Sequence, residues 1–327
     1  REALSLNSAA ALAGLLLTAF GPVDIDEQAL DSPVATTLTL TNHSTQTMQA
    51  AFDFGASGWR TAAGRTAGEE SLRPRQTVVL PGQGRLTRSL YPLPRVRTTW
   101  AGDNQPVETA SPLLVRKLGE AQPARARVAV NGILSEECWL LGRRLGRFGS
   151  EFGERPCDPS PEWMAAYDAT HLYFAVVCEE PRIHALVATG TKHDDPRLAR
   201  DESVEFFLDC AGKRRDYFHL RVNVDGVVLD ERCTLSAGGA TTPPVTDRQW
   251  ESLAKVAVQR GRTHYYMEVA LPLKQLGVNP PRMGTVWLLN VARNRRVGDM
   301  TEPVRSLWNP SPGGCRNPEA FGALVFK

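Results

Sequence analysis

The stretch Tyr217–Val224, YFHLRVNV, alternates strictly: Phe218, Leu220, Val222 and Val224 fall on one side, and Tyr217, His219, Arg221 and Asn223 on the other. A period of two is the mark of a β-strand with one face turned to a core. Asp225-Gly226 follows, a type I′ hairpin dipeptide that leads into Val227–Leu229. The same rhythm recurs in Ser203–Asp209, with Val204, Phe206 and Leu208 opposite Glu205, Phe207 and Asp209. Leu172–Cys178 is a continuous apolar run that suits a strand buried on both faces, and Tyr265–Leu271 and Val286–Arg293 are further strands. Helical pattern is confined to a turn or two near Glu136–Leu145 and Leu273–Leu276. The expectation is an all-β chain.

At 327 residues the chain is about twice the usual domain length, so two domains are expected. The 27 Gly and 23 Pro supply the punctuation that many short strands need. In the first 120 residues, Thr36–Thr41 ends at the turn Asn42-His43-Ser44, with Thr47–Phe54 as its hairpin partner. Gln76–Leu80 and Arg85–Tyr91 are separated by Pro81-Gly82-Gln83-Gly84, read as a turn. This pattern, TLTNHSTQTMQAAFDF, then GW, then VVLPGQGRLTRSLYPL, resembles the immunoglobulin-like accessory domains of secreted bacterial polysaccharide-handling proteins. Trp59 and Trp100 are assigned to its core. Leu118–Arg127 reads as a linker, which divides the chain into domains 1–120 and 121–327.

A net charge of +2 offers no electrostatic footprint for nucleic acid or for an anionic membrane surface. The apolar run Ala9–Phe20 is too short to span a bilayer and has the length of a signal h-region. With no initiator Met before it, the chain reads as a fragment of a longer protein and the run as a buried strand or helix. All six cysteines, Cys138, Cys157, Cys178, Cys210, Cys233 and Cys315, lie in the second domain. An even count confined to one domain predicts at least one disulfide there and an oxidising compartment, against the alternative of small buried free thiols.

Seven blocks of the second domain, in order and spacing, are similar to the family 9 carbohydrate-binding modules. They are NGILSEECW, AAYDATHLYFAVVCEEP, DESVEFFLD, YFHLRVNVDG, YYMEVALPLKQLG, LLNVARNRR and SLWNPSPGGCRNPEAFGALVF, between Asn131 and Phe326. The resemblance implies a larger β-sandwich after the small immunoglobulin-like one, in a secreted or cell-surface protein that handles polysaccharide. It also implies a sugar clamped between two tryptophans, because pyranose C–H faces stack on aromatic planes. Here those two positions are Ala199 and Cys315, and a glutamine position is Ala292. The strand glutamate and arginine survive as Glu205 and Arg221, with Asn223 two residues on. A carboxylate beside a guanidinium can make paired bonds to vicinal hydroxyls. The expected site is therefore a shallow polar patch of Glu205, Arg221 and Asn223, with Trp308 or Trp250 as substitute platforms. The resemblance further implies structural calcium, for which Glu180 and Asp201, with Glu202 beside it, are the carboxylates in place. His193-Asp194-Asp195 is read as a solvated turn rather than a ligand cluster.

The leading function is a non-catalytic accessory region that binds glycan through an altered sugar site, with other domains of the parent protein as further partners. The alternatives are a structural spacer or protein-interaction module, and a haem-holding sandwich, for which Met267 is the best axial candidate although its parity groups it with the core residues Val269 and Leu271. Hydrolysis is disfavoured. Glu205 and Asp209 lie roughly 13 Å apart at about 3.3 Å per residue, beyond the about 5–9.5 Å of two-carboxylate mechanisms.

Overall fold

A computed structural model of the protein describes residues 15–103, 105–236, 243–310 and 314–327, and it carries the alternating segments as strands. The chain divides after Val115 into two compact units. In the first, β1 (Leu16–Ile25), β2 (Pro33–Asn42), β4 (Arg60–Thr61) and β6 (Thr77–Arg85) form one antiparallel sheet. A second sheet holds β3 (Met48–Asp53), β5 (Ala67–Leu72), β7 (Arg95–Ala101) and the start of β8 (Val107–Pro123). Phe20, Leu38 and Leu40 of the first sheet share a core with Phe52 and Trp100 of the second, so the unit is a sandwich. Trp59 and Trp100 are fully buried, as their assignment to the core requires. From the apolar run at the start, Leu16–Phe20 opens β1; Ala9–Gly14 lies outside the described residues.

Two expectations fail here for reasons of long-range contact. β3 does not pair with β2; it crosses to the other sheet and lies between β5 and β7. The buried Asn42 makes this corner. Its Nδ2 donates to the carbonyls of Gln46, Leu72 and Arg73, and its Oδ1 accepts from the backbone N–H and hydroxyl of Ser44. Pro81–Gly84 is not a turn but the middle of β6, paired with Val34–Thr37 of β2. The glycine at 84 answers to packing, because a Cβ there would sit 2.2 Å from the Trp59 ring.

In the second unit β10 (Glu162–Tyr167), β11 (His171–Glu179), β16 (Lys255–Arg260) and β17 (His264–Pro272) form one layer, in the order β10–β11–β17–β16. The other layer is β12 (Ser203–Asp209), β13 (Asp216–Asn223), β14 (Val228–Thr234), β15 (Val245–Asp247) and β18 (Val286–Arg295), in the order β15–β14–β13–β12–β18. The far edge of β18 is shared by β19 (Val304–Leu307) and β20 (Gly322–Phe326), and β19 in turn pairs with β9 (Gly149–Ser150). Leu118–Ala121 runs parallel to β20, and Ala121–Pro123 parallel to β10. Those residues are thus a strand joining the two layers, not the expected linker. A continuous core fills the space between them, with Phe174, Val176, Phe206, Leu220, Val222, Met267 and Val291 among its residues. The faces predicted for β12 and β13 are the faces observed. Met267 lies wholly within this core, so the haem reading has no axial ligand at that position.

Candidate functional site

The polar sides of β12, β13, β14 and β18 point away from the core, and register sets who meets whom. Glu205 pairs across the ladder with Arg221 on one side and Ala292 on the other; His219 is opposite Phe207 and Glu231. Cross-strand neighbours on one face lie about 5 Å apart, so these side chains must touch. The Glu205 Oε2 accepts from Arg221 Nη2 at 3.0 Å and faces His219 Nε2 at 2.6 Å; its Oε1 accepts from Asn294 Nδ2 at 2.6 Å. His219 Nδ1 in turn faces Glu231 Oε1 at 2.9 Å. Arg248 and Arg316 approach Glu231, each at 3.3 Å. The imidazole lies flat on Phe207, with centroids 4.5 Å apart and planes at 5°.

Glu205, His219, Arg221, Glu231 and Asn294 are buried, while Arg248 and Arg316 reach in from the exposed rim. Burial pushes the Glu205 carboxyl up, but Arg221, His219 and Arg305 outweigh it and hold it well below the usual carboxylate range. Burial acts upward on Glu231 as well, and His219, Arg316 and Arg248 bring it down to about 2. Both carboxylates are therefore ionised and neutralised from within. Phe207, Tyr217, Cys233, Ala292, Leu307, Cys315 and Phe321 pack as a second apolar cluster on the same face. Cys315 and Phe321, from the segment before β20, close it.

The expected open patch is thus corrected at each of its residues. Glu205 and Arg221 meet, but as an interior ion pair. Asn223, fully buried, belongs to a separate group: its Nδ2 donates to the Gly190 carbonyl and to Asp201 Oδ2. Trp308 is no platform. It is completely buried, edge-on to Trp163 at 4.9 Å. Trp250 packs on Phe218, and its Nε1 donates to the Gln275 carbonyl. At the two clamp positions Ala199 is exposed on a short 3-10 turn and Cys315 is buried.

The carboxylates expected to hold calcium do not fit it. Glu180 is bracketed by guanidinium groups, Arg295 Nε and Nη2 at 2.7 and 2.8 Å and Arg293 Nη2 at 3.1 Å. A hard cation needs six to eight oxygens and would here meet positive charge instead. Asp201 spends both oxygens on Thr189, Gly190 and Asn223. Glu202 accepts from Tyr265, Arg293 and the Arg296 N–H; its carboxyl is raised by burial, which outweighs Arg293. The disulfide expectation fails too, since all six cysteines are free thiols. Cys178, Cys233 and Cys315 behave as small apolar residues whose thiols burial pushes up to about 12.

The sequence reading missed His219, Glu231, Asn294 and Arg305 as members of this network. The parity that placed Arg221 also placed His219 on its face, and that was the signal available. Beside the network lies a cleft of about 230 Å³ lined by Ser150, Arg155, Asp158, Arg295, Arg305 and Ser306. Two of its arginines are held from behind. Glu180 grips the Arg295 fork, and Arg305 Nε donates to Asn294 Oδ1 at 2.9 Å.

Residues 150–327 match the family described as carbohydrate family 9 binding domain-like. Among solved structures, the chain is similar to a family 9 carbohydrate-binding module from Caldicellulosiruptor kristjanssonii in complex with glucose. The TM-score is 0.46 at 16% identity, over 64% of this chain and 95% of that one. A putative carbohydrate-binding protein from Bacteroides uniformis aligns with a TM-score of 0.49 at 15% identity, over 65% and 100%. No curated protein matches the chain by sequence. Among the described residues, no helix is long and apolar enough to cross a membrane. By the sequence match over residues 150–327, the chain belongs to the carbohydrate family 9 binding domain-like family.

Proposed function

We propose that the second unit is a non-catalytic saccharide-binding module whose ligand sits in the arginine-lined cleft rather than on the filled face around Glu205. The observation that carries this reading is the pair of pre-oriented guanidiniums, Arg295 and Arg305, converging with Arg155 on one cleft. A donor fork already fixed by its own carboxylate or amide loses little freedom on binding. Arg295 is already paired with Glu180 and Arg305 with Glu151 and Glu205, so it is Arg155, with the remaining N–H donors of the cleft, that suits a saccharide rich in acceptor oxygens such as a uronate. In this reading the chain is an accessory region of a larger secreted or cell-surface bacterial protein, which accords with the family and with the pattern of the first 120 residues.

Calorimetry of the full chain against neutral and uronate-containing polysaccharides tests it. Binding is expected for the acidic polymer, weakened about tenfold or more by Arg155→Ala and by Arg305→Gln, since a charge-assisted bond is worth about 1.5–3 kcal/mol. Affinity unchanged in both variants would move the ligand elsewhere. A second reading, a structural spacer without saccharide, is favoured by the way Cys315 and Phe321 fill the family's usual face. Failure of every saccharide to bind selects it.

A further inference from the structure

Three separate segments bring His193, Asp194, Asp230 and Glu251 to one point beside β14. That strand pairs with β13 along its length but with β15 only at Arg232–Thr234, so Val228–Glu231 has an open edge. The loop before Pro196 docks there: the Asp194 N–H donates to the Val228 carbonyl, and Asp194 Oδ1 accepts from the Asp230 N–H. From the other side the Ser252 N–H donates to Asp230 Oδ2. The second oxygens of Asp194 and Asp230 are thereby left pointing at His193. Its Nε2 lies 3.7 Å from Asp194 Oδ2, 3.5 Å from Asp230 Oδ1 and 3.1 Å from Glu251 Oε2. Asp195, which the sequence grouped with these two, is engaged elsewhere: it caps the next turn and pairs with Arg197.

Hydrogen bonding alone leaves this arrangement unsatisfied. Asp230 is fully buried, and its Oδ1 accepts no hydrogen bond. A neutral imidazole offers Nε2 either as a single donor or as a lone pair, and one N–H cannot serve three carboxylates. A cation among His193, Asp194 and Glu251, whose ligand atoms lie within 4.8 Å of one another, serves those three, and the buried Asp230 Oδ1 faces the same imidazole at 3.5 Å. Ligands at about 2.0–2.2 Å around a tetrahedral ion are separated by roughly 3.3–3.6 Å, and Nε2 lies 3.7 and 3.1 Å from the Asp194 and Glu251 oxygens. One nitrogen and two carboxylate oxygens, with a fourth position open, suit a divalent ion of the zinc class; calcium needs six to eight oxygens. The hydrogen bonds from Asp230 N–H and Ser252 N–H are the outer supports that metal-ligating carboxylates require. His193 and Glu251 are partly exposed, which gives an ion access.

We infer that His193, Asp194 and Glu251, backed by the buried Asp230, form a binding site for a zinc-class divalent cation that ties the 190–195 and 248–254 loops to the open edge of β14. The test is zinc calorimetry and melting of the full chain after chelator treatment. Wild type is expected to bind one zinc per chain and to melt higher with it. His193→Ala and Asp230→Asn are each expected to weaken that binding at least tenfold. Glu251→Gln, at an exposed position that folding does not depend on, is expected to weaken it as well. Absence of zinc binding by wild type, or equal affinity in all three variants, overturns the site. Calcium binding that His193→Ala leaves intact overturns the assignment of a nitrogen ligand.

Discussion

Replacing His219 by Phe removes a buried imidazole that faces two carboxylates while keeping a ring stacked on Phe207. The geometry sets the size of the effect. Glu231 is held from its ordinary 4.5 down to about 2; at 1.36 kcal/mol per pH unit that is worth about 3 kcal/mol in all. His219 is the largest of the groups that lower it, ahead of Arg316 and Arg248. One charge-assisted bond is worth about 1.5–3 kcal/mol, and His219 faces Glu205 as well as Glu231. Arg221, Asn294, Arg248 and Arg316 remain to share the load, so the variant is expected to lose about 3–4 kcal/mol at pH 7. The sign of the pH dependence follows from linkage. A carboxyl whose folded value is depressed contributes fully above about pH 4.5, where it is ionised in both states. Below that the unfolded chain takes up protons first, and the contribution is gone near pH 2. On this account the gap between wild type and His219→Phe should shrink steadily from about pH 4.5 towards 2. Urea unfolding of the full chain, followed by tryptophan fluorescence at several pH values, measures it on the transition that the variant moves. A gap below about 1 kcal/mol at pH 7, or one that does not narrow in acid, would refute the pairing of ionised Glu205 and Glu231 with His219.

Trp308→Ala should destabilise the second unit by about 3–5 kcal/mol, because Trp308 is fully buried against Trp163. The milder Trp308→Phe should leave saccharide affinity unchanged in the same calorimetry that tests the cleft. A thiol reagent should count six thiols per denatured chain. In the native protein at pH 8, Cys178, Cys233 and Cys315 should react orders of magnitude more slowly than when unfolded, since burial raises their thiols to about 12.

Side-chain parity was legible without coordinates, since successive Cβ atoms of a strand point to opposite sides whatever surrounds them. Hence the core faces of β12 and β13, the shared outward parity of Glu205 and Arg221, and the burial of Met267 could all be read from spacing. The motif order that marks the family is likewise a property of the chain alone. What covers the second face of a sheet is not local. Cys315 and Phe321 arrive from about a hundred residues away in sequence and turn an expected open patch into an interior network. The same holds at Asn42, whose bonds to Leu72 and Arg73 send β3 to the other sheet where a turn signal suggested a hairpin. It holds for Pro81–Gly84, kept extended by β2 and cleared of side chain by Trp59, and for Glu180, an acidic position that two arginines claim before any metal. His193 and Asp194 read as a solvated turn because Glu251, which completes the cluster, and Asp230, which faces His193, come from loop and strand further along the chain. A residue's own direction is set by the backbone it sits on; its neighbours across a fold are set by tertiary packing, and charge, exposure and ligand geometry depend on those neighbours.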